Sequence, residues 1–487
     1  MFKMKKYLIY SSLLAFPFLG CKDYLEQPVD LRTQLNSVEK VGELLATAYP
    51  QADYVTFTES LSDLAMDKGA VQNAIIDERN QNPYFFQDVQ NKQQGSPDFY
   101  WNACYAAIAA ANHAREAIGK APNQADYRAQ KGEALVARAY SHFMLVTLFA
   151  KVYNPTTAAS DPGIPYVTAP EKTVMPQYDR RTVAYVYEQI EKDLTEGLPL
   201  ISNSAYRVPK YHFNTSAAHA FASRFYLFKR EHQKVIDHAN QAFPGGNIGP
   251  SLRPWVSVYS RLTANEGLAI YTQASEEANL LLVETASLWA RSYARYRYGF
   301  ATPILNKFFR TNNVTGTRWV YPIYSQGSDH WLILKFREHF VRETANANIG
   351  LPYTIIPLFT AEEVLFNRAE ARVALGMLAG AREDLNLYAS RRIENYSASS
   401  HAITDAKVRA FYGTNDVREG LLKTILDFKA TEFIHEGMRW FDILRHDLPV
   451  VHQTFEGQTV TLPPGDPRRV IQIPQEATLA GLVRNPR

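Results

Sequence analysis

Residues 360–389 read TAEEVLFNRAEARVALGMLAGAREDLNLYA, and this stretch sets the fold class. Thr360 and Glu363 have the spacing of a capping box, in which an N-cap side chain and the residue three on satisfy each other's backbone N–H groups. Leu365, Ala369 and Leu375 recur at helical spacing up to Gly376, where the chain turns, and Ala381, Leu385 and Ala389 mark a returning arm. Small residues at the crossing points of two helices let the backbones approach closely, as in tetratricopeptide-like repeats. Residues 215–243 repeat the pattern, with Ala218, Ala222 and Tyr226 on one arm and Val235, Ala239 and Ala242 on the other. The expected fold is mostly α, a tetratricopeptide-like scaffold of helical hairpins.

Further helices are expected upstream. Ser96 and Pro97 supply an N-cap and a first helical position for 98–118, along which Trp101, Tyr105, Ile108, Asn112 and Ile118 recur. Val136, Tyr140, Phe143 and Leu148 line one face of 129–149. Thr182 opens 182–201, with Val183, Val186, Ile190, Leu194 and Leu198. Residues 244–359 read differently: Pro244-Gly245-Gly246, Gly249-Pro250, Pro303, Pro322, Pro352 and Pro357 punctuate short strand-like runs such as Leu280–Val283 and Trp331–Phe336. The expected organisation is one domain over 21–487. A helical scaffold spans about 21–243 and 360–487, and a loop-rich, irregular, aromatic insertion spans about 244–359. A second long loop covers 68–97 around Tyr84, Phe85 and Phe86. Loops held on a rigid frame are where specificity usually resides.

The N-terminus reads as an address. Lys3, Lys5 and Lys6 precede an apolar run, Tyr7 to Phe18, that spans only ~18 Å as a helix, short of a ~30 Å hydrocarbon core. A cleaved signal over residues 1–20 fits, and Leu19-Gly20-Cys21 places a cysteine where a bacterial lipoprotein carries its acyl chains. The alternative is an ordinary signal that Cys21 merely follows. Without residues 1–20 the 52 basic residues fall to 49 and balance the 49 acidic ones, so the formal charge of +3 vanishes. A neutral chain without a basic stripe argues against nucleic acid as a partner. Cys104, the other cysteine, lies in an Ala-rich helical pattern and is expected to be a buried hydrophobe.

Catalytic signals are thin. Glu432, Glu436, Arg439 and Asp442 are spaced to share one side of a helix. Paired carboxylates there could suggest a glycosidase; the preferred reading is a structural ion-pair network with Arg391, Arg392 or Arg445. His435-Glu436 is not a zinc-binding HExxH, because Arg439 stands in the second histidine's place. No catalytic residue, metal site or cofactor is expected.

Taken in order, these residues resemble the SusD/RagB-like outer-membrane lipoproteins along essentially the whole chain. The resemblance is carried by Cys21-Lys22-Asp23-Tyr24-Leu25, then Trp101…Tyr105…Ile108…Asn112, Gly132-Glu133-Ala134…Arg138-Ala139-Tyr140 and Gly163-Ile164-Pro165. It continues through Arg224-Phe225-Tyr226-Leu227 and Arg368-Ala369-Glu370-Ala371. The most specific part is Glu432-Phe433…His435-Glu436-Gly437-Met438-Arg439-Trp440-Phe441-Asp442…Arg445. Two departures stand out: Gly316-Thr317-Arg318, where the family more often has an acid before the arginine, and an ending without the usual glycine-containing tail.

The resemblance implies a non-enzymatic lipoprotein anchored at Cys21, facing the cell exterior at the outer membrane. It would capture oligosaccharides, or in some members peptides, for a SusC-like TonB-dependent transporter. Family platforms look to be built from the insertion and the 68–97 loop. The ligand-binding candidates are therefore Trp289, Tyr293, Tyr296, Trp319 and Trp331, with Tyr84, Phe85 and Phe86 opposite, since flat sugar faces stack on aromatic rings. Trp101 and Trp440 lie on helical apolar stripes and are expected in the core. The interleaved cations Arg291, Arg295 and Arg297 leave room for an acidic ligand. A tetratricopeptide-type scaffold and a hydrolase remain as readings from other classes.

Overall fold

The computed structural model describes residues 35–173, 177–342, 344, 347 and 349–487. The signal, Cys21 and its tether lie outside the described residues. The helices include, in chain order, α1 (Val38–Leu45), α2 (Val55–Leu61), α3 (Glu78–Tyr84), α4 (Pro97–Lys120), α5 (Arg128–Phe149), α6 (Val183–Gly197), α7 (Thr215–Lys229), α8 (His232–Gln241), α9 (Ala361–Ala374), α10 (Leu378–Ser390), α11 (Val417–Glu432) and α12 (Met438–Arg445). The protein is mostly helical, as its periodicity requires.

Local chemistry explains the helix starts. Ser96 accepts from the N–H of Phe99 and Thr182 from that of Tyr185, each satisfying an end group that the helix itself leaves unpaired. The hairpins α7/α8 and α9/α10 bury Ala218, Ala222, Ala239, Ala369, Ala381 and Ala389 at their crossings. Helices α5 and α6 approach still more closely. A Cβ on Gly132 would lie 2.7 Å from Leu200 Cβ, and one on Gly197 2.9 Å from the Gly132 carbonyl oxygen.

Two details differ from the expectation. Thr360 caps α9, but Glu363 does not close the capping box; its carboxylate accepts from Arg224 Nε at 2.5 Å and Nη2 at 2.6 Å instead. A buried guanidinium needs a carboxylate more than a helix end needs a second cap. The acidic motif near the C-terminus is also not one helix. The chain breaks between α11 and α12, where His435 and Gly437 both have φ of 70°. Buried Glu59 on α2 holds the break open, accepting from the N–H groups of His435 at 2.8 Å and Gly437 at 2.9 Å. Burial pushes the Glu59 carboxyl up to about 7, against the pull of those two donors.

The insertion is more regular than its proline and glycine content suggests. Strands β2 (Asn279–Ala286), β3 (Tyr298–Gly299), β4 (Glu338–Arg342) and β5 (Gly350–Thr360) build it, and β1 (Met66–Asp67) leads directly into the 68–97 loop. Antiparallel β5 pairs on one side with β2 (Val283 opposite Ile356) and on the other with β4 (Phe340 opposite Pro352). Thr360 ends β5 and caps α9, so the sheet runs straight into the frame. A hairpin of β6 (Val450–Gln453) and β7 (Thr459–Leu462) follows α12. One hydrophobic cluster runs from Val41 to Leu482 through both frame and insertion.

Candidate functional site

The expected meeting of the 68–97 loop with the insertion occurs, and backbone pairing makes it. Strand β1 pairs with β3, setting Met66 opposite Gly299 and Asp67 opposite Tyr298. Ile75 N donates to Arg295 O at 2.8 Å, and Arg297 N donates back to Ile75 O at 2.9 Å. Asn80 Nδ2 donates to Tyr298 O at 2.7 Å. Lys68 Nζ reaches Ala294 O at 2.8 Å, and burial lowers its ammonium to about 8. His330 touches the carbonyl oxygens of Ala294 at 3.1 Å and Gln72 at 3.0 Å, tying the Trp331 segment to the same junction. The loop is not wholly irregular: Asp77 caps α3 inside it.

Most of the expected platform aromatics lie beneath this surface. Trp289 is only 2% exposed, donates from Nε1 to His435 O at 2.8 Å, and stacks on Tyr293 and Tyr296, which are likewise buried. Tyr84 is buried flat on the His452 ring at 4.1 Å, with its hydroxyl donating to Gln453 O at 2.7 Å. Phe86 stacks on His452 from 5.0 Å and is buried, while Phe85 is half-buried with its edge on Tyr298. Trp319 stands apart, packed on Tyr388 and Phe428 of the frame. These rings spend their faces on one another and on the imidazoles, so they stiffen the junction. Of the eight, Trp331 and Phe85 keep partial exposure. Trp331 Nε1 donates to Thr302 Oγ1 at 2.8 Å, and the Arg310 guanidinium lies 4.7 Å over its ring. Trp101 and Trp440 are in the core, as their helical stripes imply.

The surface of the junction has other members. Phe455, at the tip of the β6–β7 hairpin, is 68% exposed and lies across Gly69, where a Cβ would come within 2.4 Å of its ring. Its N–H donates to Asp67 Oδ2 at 3.1 Å, and Asp67 also accepts from Arg297 Nε at 2.6 Å and Nη2 at 2.9 Å. Burial pushes the Asp67 carboxyl up, but Arg297 and the backbone donors outweigh it and hold the group below its ordinary value. Glu456 stands 3.5 Å from Arg297, and Ile76 is exposed nearby in the loop. Phe455 carried a signal in the sequence: a large aromatic beside Gly457 in a turn between two alternating strands has no core to enter.

The arginine run is not a free positive stripe. Arg291 pairs with Glu338 and Arg297 with Asp67, leaving only Arg295 of the three without a carboxylate among the described residues. The acidic motif is likewise paired throughout. Glu432 binds Arg392 at 2.8 Å, Glu436 binds Lys335 at 2.6 Å, Arg439 binds Asp63 at 2.7 Å, and Asp442 binds Arg445 at 2.7 Å. Arg392 and Arg445 are thus partners, and Arg391 is not. Burial raises the Glu432 carboxyl, but Arg392 outweighs it and holds the group down at about 2. A glycosidase acid must hold a proton near neutrality; Glu432, beside Arg392, and Asp442, beside Lys429 and Arg445, are both held below their ordinary values instead. Among the described residues no group of three or more His, Cys, Asp or Glu could hold a metal ion.

Comparison with known proteins agrees with this architecture. Residues 18–227 match the family model described as SusD-like_3, "Starch-binding associating with outer membrane", and residues 331–467 match SusD_RagB, the SusD family. No curated protein matches the chain. A SusD superfamily protein from Bacteroides thetaiotaomicron superposes with a TM-score of 0.65 at 20% identity, covering 93% of this chain and 100% of that one. A SusD-like carbohydrate binding protein from Bacteroides vulgatus gives 0.65 at 17%, covering 91% and 96%. A laminarin-binding SusD-like protein gives 0.59 at 16%, covering 93% and 99%.

Proposed function

The chain belongs to the SusD/RagB-like family, and we propose that it is a surface lipoprotein of the outer membrane that captures oligosaccharides and passes them to a SusC-like TonB-dependent transporter. Family description and fold neighbours both point to glycan binding. The observation that carries capture in this chain is the junction of the 68–97 loop with the insertion. There a rigid stack of buried rings supports an outer rim of Phe455, Trp331, Arg297 and Arg310. Exposed ring faces offer CH-stacking surfaces, and the partly exposed Arg297 guanidinium, held in place by buried Asp67, offers donors for hydroxyls. The clamped carboxylates favour binding without cleavage.

Titration calorimetry of the purified protein against starch-type and laminarin-type oligosaccharides, with a peptide panel beside them, tests this. Phe455→Ala and Trp331→Ala should each weaken glycan binding about tenfold, ~1.4 kcal/mol. Binding to peptides alone would move the protein to the peptide-capturing members, and silence on both panels would remove the capture reading. Attachment follows from Cys21. Two or more acyl chains, at about 0.8 kcal/mol per buried CH₂, hold a protein to a bilayer. Among the described residues no helix is long and apolar enough to cross one. Incorporation of labelled palmitate should disappear in Cys21→Ala, and co-purification with the transporter from intact outer membranes checks the partner.

A further inference from the structure

A cavity of about 330 Å³ opens between helices of the frame, away from every residue of the insertion. Its apolar wall is built by Leu227 and Phe228 at the end of α7, Val373 on α9 and Leu422 on α11, with Tyr153 at one side. Its polar side is cationic. Arg230 and Arg418 line it, and neither guanidinium has a carboxylate partner among the described residues. The one acid lining it, Glu370, is already spent. Oε1 accepts from Arg445 Nη1 at 2.6 Å and His446 Nε2 at 2.9 Å, and Oε2 accepts from Arg445 Nη2 at 2.8 Å. Burial raises the Glu370 carboxyl, but Arg445 and His446 outweigh it and hold the group well below its ordinary value, so it stays ionised and internally balanced. His232 adds an enclosed Nδ1 with no hydrogen-bond partner among the described residues.

Two features make this more than a surface dimple. Arg230 caps α7 in the left-handed conformation, φ 65°, a position that glycine usually fills and where an L side chain is strained. The strained position carries a long cation to the mouth of an apolar cavity. The charges also do not cancel: Glu370 and Arg445 neutralise each other, which leaves Arg230 and Arg418 as a net positive mouth. Guanidinium groups bind carboxylates through two parallel N–H donors, and pockets of this size take small organic molecules.

We propose that this frame cavity is a second binding site, for an organic carboxylate with an apolar body about the size of one ring. The carboxylate sits at the mouth between Arg230 and Arg418, and the body lies on Leu227, Phe228, Val373 and Leu422. The site is independent of the glycan junction, so either can fail without the other.

Benzoate is the probe, titrated into the purified protein and followed by calorimetry, with benzyl alcohol as the uncharged body and sulfate as the bodiless charge. Saturable benzoate binding is expected, about tenfold or more tighter than either control, with about tenfold weakening in Arg230→Gly and again in Arg418→Gln. Arg230→Gly should keep or raise the melting temperature, because glycine adopts this backbone without strain, so its loss of binding cannot be a loss of fold. Benzyl alcohol binding as well as benzoate, sulfate binding as well as benzoate, unchanged affinity in both variants, or no benzoate binding in the millimolar range would each overturn the proposal.

Discussion

Arg224 in the helical frame and Arg291 in the insertion each grip a glutamate through two donors. The distances are nearly the same: 2.5 and 2.6 Å to Glu363, and 2.6 Å twice to Glu338. Their surroundings are not. The Arg224 pair is 3% and 4% exposed, whereas the Arg291 pair is 46% and 22% exposed. Water screens the second pair and cannot reach the first, so one geometry has two energetic meanings. Arg230 and Arg418 make a third case, exposed and with no carboxylate partner among the described residues. The arginine-dense stretch at 291–297 is therefore largely neutralised, while two arginines far apart in sequence, Arg230 and Arg418, line one cavity of the frame without a carboxylate partner among the described residues.

The comparison can be broken in several places. Arg224→Met should cost about 3–5 kcal/mol in urea unfolding, because Glu363 would be left charged and unpaired in the core. Replacing both partners with methionine should recover much of that loss, and a double variant as unstable as the single one would show that the site depends on the charges themselves. Gly132→Ala comes next. The new methyl would meet Leu200 and the Gly197 carbonyl where α5 and α6 touch, and overpacking of this kind costs about 1–3 kcal/mol by the same measurement. Arg291→Ala should change stability by less than about 1 kcal/mol, since its pair is screened. A larger loss would mean the insertion depends on that pair as the frame depends on Arg224. Smallest of all, Phe455→Ala should move the melting temperature hardly at all, within about 0.5 kcal/mol, while it weakens glycan binding. The ring lies on the surface of Gly69 and supports nothing beneath it.

Much of the frame was legible. Ser96, Thr182 and Thr360 cap their helices, Gly376 turns between α9 and α10, and Cys104 is buried in α4, because these outcomes depend on a few neighbouring residues. The candidate site was legible only in its location. The 68–97 loop and the insertion do meet, but Trp289, Tyr293, Tyr296, Tyr84 and Phe86 lie under the meeting place. Aromatic content marks a region rich in rings without saying which side of the surface they take. Trp289 lies deep because its indole N–H finds the His435 carbonyl, a residue the chain reaches only much later. Phe455 was missed for the converse reason: it lies in the C-terminal part of the scaffold and arrives at the junction only through the β6–β7 hairpin. The single helix expected across Glu432–Asp442 was wrong because Glu59, from near the N-terminus, satisfies two backbone donors and stabilises a break there.

The sequence by itself determined the helical hairpins, their caps and close crossings, and the family to which the chain belongs. All of these rest on periodicity and on ordered short motifs that act over a turn or two of helix. Tertiary structure alone decided which rings face water and which charges are free. Burial and ion pairing are properties of partners, and here the partners lie far apart along the chain: Arg297 with Asp67, Arg224 with Glu363, Trp289 with His435. A residue's chemistry is written at its own position, but its availability depends on what the fold brings against it.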